Sequence, residues 1–252
     1  TVGTNNTLVG GEAGKAMVGD NNNTAVGWGA LKTQTNSTAT ATNNTAVGYS
    51  AGGAVNTGTK LCLVGLGAGG SITSGSNNIM VGVDAGVTGS PGGNITTASN
   101  TLVLGDENIG ACHIQTDWTV ASDQRDKTDF TALDVGLDFV NALKPVTYKW
   151  DKRSKYGDKT ADDYDLNAQT PDGTHKEDWL DIGFKAQEVE ALEKAAGYKI
   201  ADKTNLTTSL TGDGKQYGIQ YSKFVPILVK AVQELSTALD AAVARIKTLE
   251  DG

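Results

Sequence analysis

The decapeptide NNTAVGYSAG, residues 43–52, decides the fold because it is one copy of a repeat. Related stretches are NNTLVGGEAG at 5–14, NNTAVGWGAL at 22–31, LCLVGLGAG at 61–69 and NNIMVGVDAG at 77–86. The glycine that follows the apolar residues recurs at intervals of 17, 21, 17 and 17, and a degenerate sixth copy, NTLVLGDEN, ends the series around Gly105. A repeat of this length is typical of proteins built from stacked coils.

Each repeat combines a turn, a short strand and a second bend. Asn-Asn favours turns with left-handed backbone, and the glycine permits the next bend. In the third copy, strand alternation places Thr45 and Val47 on one face and Ala46 on the other. A coil of 17 residues has no room for a helix, so the pattern predicts an all-β solenoid. One small unit cannot bury its own apolar face, and we expect neighbouring coils and other chains to cover it.

The composition changes abruptly near the middle of the chain. Residues 1–121 hold 23 of the 32 glycines but only 9 of the 50 charged residues. Such a shift marks a domain boundary. We predict a repeat segment at 1–110, a linker at 111–121, a small α+β domain at 122–225 and a helix at 226–252.

The second half has the pattern of an ordinary globular domain. It predicts helices at 134–143 and 187–195, strands at 146–150, 179–186 and 217–222, and a polar loop at 151–178. From Lys223 onward one helix carries an apolar seam with heptad spacing, namely Leu228, Val232, Leu235, Leu239, Ala242, Ile246 and Leu249. This seam favours a coiled coil between chains, although the same stripe could pack against its own domain.

Charge and composition exclude several classes of partner. The net charge is −8 and no basic run is present, so we expect no nucleic-acid partner. No apolar stretch approaches the roughly 20 residues of a membrane span, so we expect no membrane insertion. The two cysteines, Cys62 and Cys112, form no disulfide framework, and we expect no metal or cofactor. The chain opens at Thr1, from which we expect a piece of a longer or processed protein.

The boundary itself carries the hexapeptide SDQRDK, residues 122–127. A serine hydroxyl becomes a nucleophile only beside a base, and a neutral lysine amine is one such base. Residues five apart lie about 140° apart around a helix and on opposite faces of a strand. Ser122 and Lys127 can therefore meet only across a turn or between chains. The alternative is a charged linker in which Ser122 caps a helix and the charged residues are solvated.

The repeats resemble the left-handed β-roll heads of trimeric autotransporter adhesins, whose strand motif is close to NTAVG; the same motif occurs in phage fibres. This resemblance covers residues 5–105 and implies a trimeric, left-handed β-roll. The same resemblance favours a C-terminal coiled coil of three helices, one from each chain.

The second half resembles the C-terminal intramolecular chaperone of endosialidases and phage tail fibres, a Ser-Lys autopeptidase family. The matching stretches are SDQRDK, GFKAQEVE at 183–190 and YGIQYSKFVPILVKAVQEL at 217–235. The resemblance implies a cut between Ala121 and Ser122, with Ser122 as nucleophile and Lys127 as base. The residues expected to support this site are Asp123, Arg125, Gln187 and Glu188. The family's usual leucine before the lysine is Asp126 here, and we expect this acid to weaken the base.

These resemblances predict the C-terminal part of a phage tail fibre or tailspike, made in the host cytoplasm and carried on the virion. We expect a homotrimer whose partner is a host cell-surface receptor, with a glycan as one candidate. One alternative is an uncleaved adhesin tip that keeps the second half as a trimerising cap. Another is a glycan hydrolase, which would need paired carboxylates in a cleft. The candidates for that pair in the first half are Glu12, Asp20, Asp84, Asp106, Glu107 and Asp117.

Overall fold

The computed structural model describes residues 3–36, 41–159, 161 and 163–251. The chain forms two compact units. The first, called the solenoid unit here, comprises Thr1–Cys112, Trp150–Asp178 and Thr211–Gln216. The second, called the helical unit, comprises His113–Lys149, Trp179–Leu210 and Tyr217–Gly252. Two segments of the charged half thus fold with the repeats.

The repeats form a β-solenoid, as their period predicted. Its strands are β1 (Thr7–Val9), β2 (Thr24–Val26), β3 (Thr45–Val47), β4 (Cys62–Val64), β5 (Ile79–Val81) and β6 (Leu102–Leu104). They form one parallel sheet in chain order. Equivalent residues of successive repeats lie side by side, so that Ala46 pairs with Ala25 on one edge and with Leu63 on the other.

Strands β2 to β6 bury their middle residue and leave the flanking ones exposed or half-buried. Ala25, Ala46, Leu63 and Met80 are completely buried, and Val103 is nearly so. The flanking positions leave large apolar side chains in solvent, namely Val9, Val47, Val64, Ile79, Val81, Leu102 and Leu104. Leu8 departs from the pattern because β1 begins the sheet and has a partner on one edge only. The two-residue face of the repeat therefore remains uncovered within one chain.

The Asn-Asn turns adopt the left-handed backbone that the sequence predicts. The first asparagine has a φ of 62° at Asn22, 54° at Asn43 and 56° at Asn77. Lys60 takes this position in the fourth copy, with a φ of 57°. The second asparagine is buried in the core, as at Asn23, Asn44 and Asn78. Its side chain links coils, because Asn44 Oδ1 accepts from the Leu61 backbone N–H at 2.9 Å.

Replacing Asn44 with alanine should destabilise the solenoid strongly. Asn44 Nδ2 donates to Gln34 Oε1 at 2.7 Å and to the Gly58 carbonyl at 2.8 Å. The alanine would leave these buried groups and the Leu61 N–H without partners, at a cost of about 1–3 kcal/mol for each group left unsatisfied. Denaturant unfolding of the assembled protein measures the effect. Thr57→Ala, at an exposed site in a bend outside the strand face, is the control and should change stability little. Equal stability of the two variants would contradict a structural role for the asparagine ladder.

The glycine that marks each repeat is required by close approach as well as by conformation. Gly48 has a φ of 140°. A Cβ added there would lie 2.3 Å from the Gly65 carbonyl oxygen of the next coil. Any other residue would push adjacent coils apart, which explains why this position repeats without variation.

The helical unit has three helices and two small antiparallel sheets. The helices are α1 (Leu137–Ala142), α2 (Ala186–Ala195) and α3 (Phe224–Glu250). The strand β7 (Val146–Tyr148) pairs with β8 (Asp181–Gly183), and β9 (Thr208–Leu210) pairs with β10 (Tyr217–Ile219). Its core contains Val135, Phe139, Val189, Phe224 and Ile227.

A buried carboxylate on α2 connects this helix to the segment around β9 in the helical unit. Glu193 on α2 is completely buried. Its oxygens accept from the backbone N–H and hydroxyl groups of Thr207 and Thr208, with distances between 2.6 and 3.1 Å. Burial raises the pKa of Glu193, but these hydrogen bonds outweigh burial and the pKa lies below its usual range. The sequence gives no sign of this contact, because Glu193 stands among other charged residues of α2.

Most of α3 has no partner within one chain. Phe224, Ile227 and Ala231 pack against the domain, whereas residues 235–251 are exposed. The large residues of the predicted heptad seam are all exposed, namely Leu228, Val232, Leu235, Leu239, Ile246 and Leu249. Among the described residues, no helix combines the length and hydrophobicity that a membrane span requires.

Candidate active site

The boundary hexapeptide lies in a long exposed segment. All residues from 108 to 132 are exposed. The one regular element in this segment is a short 3₁₀ helix at Gln124–Asp126. Asp123 caps this helix, because its Oδ1 accepts from the Arg125 backbone N–H at 2.9 Å. The cap fixes a tight turn between the two residues of the predicted dyad.

Ser122 and Lys127 meet across this turn. The Lys127 ammonium donates to Ser122 Oγ at 2.6 Å and to the Ser122 carbonyl at 3.3 Å. A nucleophile and its base need this hydrogen-bonding distance for proton transfer. The contact forms within a single chain, so the dyad does not depend on a neighbouring chain for its geometry.

Asp123 and Arg125 contact each other rather than the dyad. Arg125 Nη2 lies 2.7 Å from Asp123 Oδ2. Hydrogen bonds from the Arg125 side chain and backbone hold the pKa of Asp123 below its usual range. Both residues are exposed, and an exposed pair contributes little to stability. Their contribution to the site is to hold the turn that brings Lys127 back to Ser122.

Gln187 and Glu188 lie in the first turn of α2 and are not joined to the dyad in one chain. Glu188 pairs with Lys185 at 3.0 Å. In the part of the chain that the structure describes, no hydrogen bond connects Gln187 or Glu188 to Ser122 or Lys127. Their expected supporting role therefore remains a prediction.

Ser122 and Lys127 have the hydrogen-bonding distance of a nucleophile and its base but lack a dry environment. Both residues are exposed, and a hydrated lysine ammonium is a poor base. Removal of water would favour the neutral amine. In the single chain, the residues from 108 to 132 do not supply such an environment, because all of them are exposed.

The comparison with known families bears directly on this segment. Residues 122–198 match a peptidase family model described as chaperone of endosialidase. The match begins at Ser122 and supports the predicted chaperone domain. No curated protein and no solved structure matches the chain.

The endosialidase chaperone match ends at Tyr198 and leaves the repeats and α3 outside it. Within the match lie both residues of the dyad and both supporting residues of α2. The match contains SDQRDK and GFKAQEVE, two of the three stretches from which the chaperone domain was predicted, and the third stretch, at 217–235, lies beyond it.

The sequence analysis overlooked the apolar side chains beside the predicted cut. Ile114, Trp118, Val120 and Phe130 are all exposed, with Val120 79% accessible. Ile114, Trp118 and Val120 occupy even-numbered positions, the alternation of a strand. This period-two alternation in 114–120 is the sequence signal by which these exposed apolar residues could have been found.

Over the described ranges, no three His, Cys, Asp or Glu side chains are grouped so that they could hold a metal ion. Cys62 is half-buried, Cys112 is exposed, and both are free thiols.

Proposed function

We propose that residues 1–121 form a homotrimeric fibre segment of a phage tail fibre or tailspike. Residues 122–252 act as its intramolecular chaperone and cleave the Ala121–Ser122 bond after assembly. The observation that carries this proposal is the 2.6 Å contact between Lys127 Nζ and Ser122 Oγ, at the residue where the endosialidase chaperone match begins.

The chemistry proceeds through an ester. Lys127, once neutral, takes the hydroxyl proton while Ser122 Oγ attacks the carbonyl carbon of Ala121. The C–N bond breaks, and Lys127 returns a proton to the Ser122 amine. Water then hydrolyses the ester to give the Ala121 carboxylate and the free Ser122 hydroxyl. Because the scissile bond belongs to the chain that holds the dyad, each site acts once.

Uncovered apolar surface supports the trimer. It occurs on the solenoid strands, in the segment before the cut and along α3. Exposed apolar surface on this scale marks an interaction site. The resemblance of the repeats to trimeric β-roll heads favours three chains in a left-handed arrangement.

The second candidate is an uncleaved receptor-binding tip. It is favoured by the exposure of Ser122 and Lys127, which leaves the pair in water rather than in the desolvated pocket that an activated lysine requires. Both candidates predict the same trimer and a host-surface receptor for the fibre; they differ in whether the chain is cut.

A trimer of 1–121 released after assembly should persist where the same segment expressed alone never forms. Three intertwined chains must separate together, which creates a high barrier to unfolding. Size-exclusion chromatography with light scattering compares the released segment with the separately expressed one. Equal assembly of both would show that the second half is not a chaperone.

A further inference from the structure

The solenoid unit is built from both sides of the proposed cut. Residues 1–112 of this unit precede the Ala121–Ser122 bond, whereas 150–178 and 211–216 follow it. Breaking that bond would therefore leave two fragments that still share one compact unit. Whether they separate depends on the contacts inside the unit.

Three lysines of 150–178 contact the end of the last repeat. Lys152 Nζ donates to the Glu107 carbonyl at 3.0 Å and pairs with Glu177 at 2.9 Å. Lys159 forms an ion pair with the Glu107 carboxylate. Lys155 donates to the Asn108 side chain. The backbone and the side chain of Glu107 are thus both contacted by residues that follow the proposed cut.

The Lys159–Glu107 pair is withdrawn from solvent. The Glu107 side chain is only 7% exposed and that of Lys159 is 34% exposed. Burial lowers the pKa of Lys159, while the nearby carboxylates Asp106 and Asp84 oppose that shift. Removing one partner of such a pair leaves a charge with no compensation in a partly buried place.

The second segment, 211–216, contacts the same end of the solenoid. Asp213 Oδ2 accepts from the Asn94 backbone N–H at 2.8 Å. Packing here is close: a Cβ on Gly93 would lie 2.8 Å from the Thr211 Cβ. A Cβ on Gly89 would lie 2.9 Å from the Ser154 Cβ. The two segments therefore fit the backbone of the final coils as well as their charges.

The end of a solenoid needs such a cover. β6 pairs with β5 and is the last strand in the sheet order. Terminal coils of repeat proteins require a polar cap, and an open strand edge invites pairing with other chains. The contacts above place polar side chains from both segments at this end.

We propose that residues 150–178 and 211–216 form a detachable cap on the final coils of the solenoid. This cap, held mainly by Lys152 and Lys159 at Glu107, keeps the C-terminal fragment bound to the fibre segment after the chain is cut. The inference rests on the proposed function for the cut, but the cap itself does not depend on how the chain is opened.

The test opens the chain independently of the dyad. A recognition sequence for a specific protease is inserted between Gly110 and Ala111 in a Ser122→Ala chain. Gly110 is exposed, with no atom near its Cβ position. After digestion of the assembled protein, the fraction of C-terminal fragment that co-elutes with residues 1–110 is measured at low salt and at about 1 M NaCl, where charge interactions extend only about 3 Å.

We expect the fragments to co-elute at low salt and to separate at high salt. Lys152→Met with Lys159→Met should lower retention by at least about tenfold at low salt, because both charge-assisted contacts to Glu107 are lost. A tenfold change corresponds to about 1.4 kcal/mol. The control, Lys194→Met with Lys199→Met, changes the net charge equally at exposed sites and should retain the fragment. Only variants that assemble to the wild-type size are compared. If the Lys152/Lys159 variant fails to assemble, the test rests on the salt dependence of retention in the chain that keeps both lysines.

The outcomes separate the cap from the proposed cut. Retention that is insensitive to salt, or unchanged in an assembled Lys152/Lys159 variant, would overturn the cap. A wild-type chain that stays uncut, together with salt-sensitive retention in the protease-opened chain, would instead contradict the cut and support the cap.

Discussion

Ser122→Ala should give an assembled protein that remains one chain on a denaturing gel, where the wild type gives two fragments. The substitution removes the hydroxyl that Lys127 contacts at 2.6 Å. Without the nucleophile no ester can form, and the rate of cutting should fall on the order of 10⁴-fold, as when other catalytic groups of serine peptidases are disabled. Assembly should be unchanged, because Ser122 is exposed.

Substitutions of Lys127 and of the residues beside it test whether Lys127 is the base. Lys127→Ala and Lys127→Arg should both block the cut, because arginine keeps the charge but cannot lose its proton. Thr128→Ala removes an adjacent hydroxyl outside the dyad and should be cut normally. Asp126→Leu should accelerate the cut if that acid favours the charged amine. Normal cutting of Ser122→Ala would rule out this dyad.

Leu239→Asp combined with Ile246→Asp should abolish the trimer. Both residues lie on the heptad seam and are exposed in the single chain. A buried Leu or Ile contributes about 1.5–3 kcal/mol, and the double variant would place six carboxylates along one three-chain seam. The domain core should survive, because Phe224, Ile227 and Ala231 pack before this part of α3.

The matched control moves the same charges off the seam. Thr237→Asp with Ala244→Asp lies on the opposite side of the helix by heptad position. Light scattering should find a trimer for the control and a monomer for the seam variant. If the dyad requires assembly for its dry environment, the seam variant should also remain uncut. A trimeric seam variant would show that α3 does not hold the chains together.

The repeat architecture was predictable because its causes are local. The left-handed backbone at Asn43 and the bend at Gly48 follow from residue type, and both recur with the period of the repeat. Which face of each strand points into the solenoid was harder to predict from the sequence. Ala46 points into the solenoid, as do the larger Leu63 and Met80 at the equivalent positions, while Val47 remains outside. Alternation alone separates the two faces of a strand but does not say which of them is inside.

Contacts between residues that are far apart in the chain could not be predicted from local sequence patterns. Residues 151–178 had the composition of a solvated loop, yet Lys159 lies against Glu107, 52 residues earlier. Buried Glu193 was hidden in the same way, since its partners on and beside β9 lie in a stretch with no strand pattern. At the site, Ser122 and Lys127 could be selected from sequence, and the Asp123 cap explains how a five-residue separation closes.

The most direct test of the central claim is intact mass measurement of the wild-type chain during assembly. Samples are denatured at intervals after refolding, while parallel samples report the trimer fraction. The account predicts two fragments divided between Ala121 and Ser122, accumulating only after trimers form. An intact chain that persists throughout prolonged incubation of a folded trimer would contradict it.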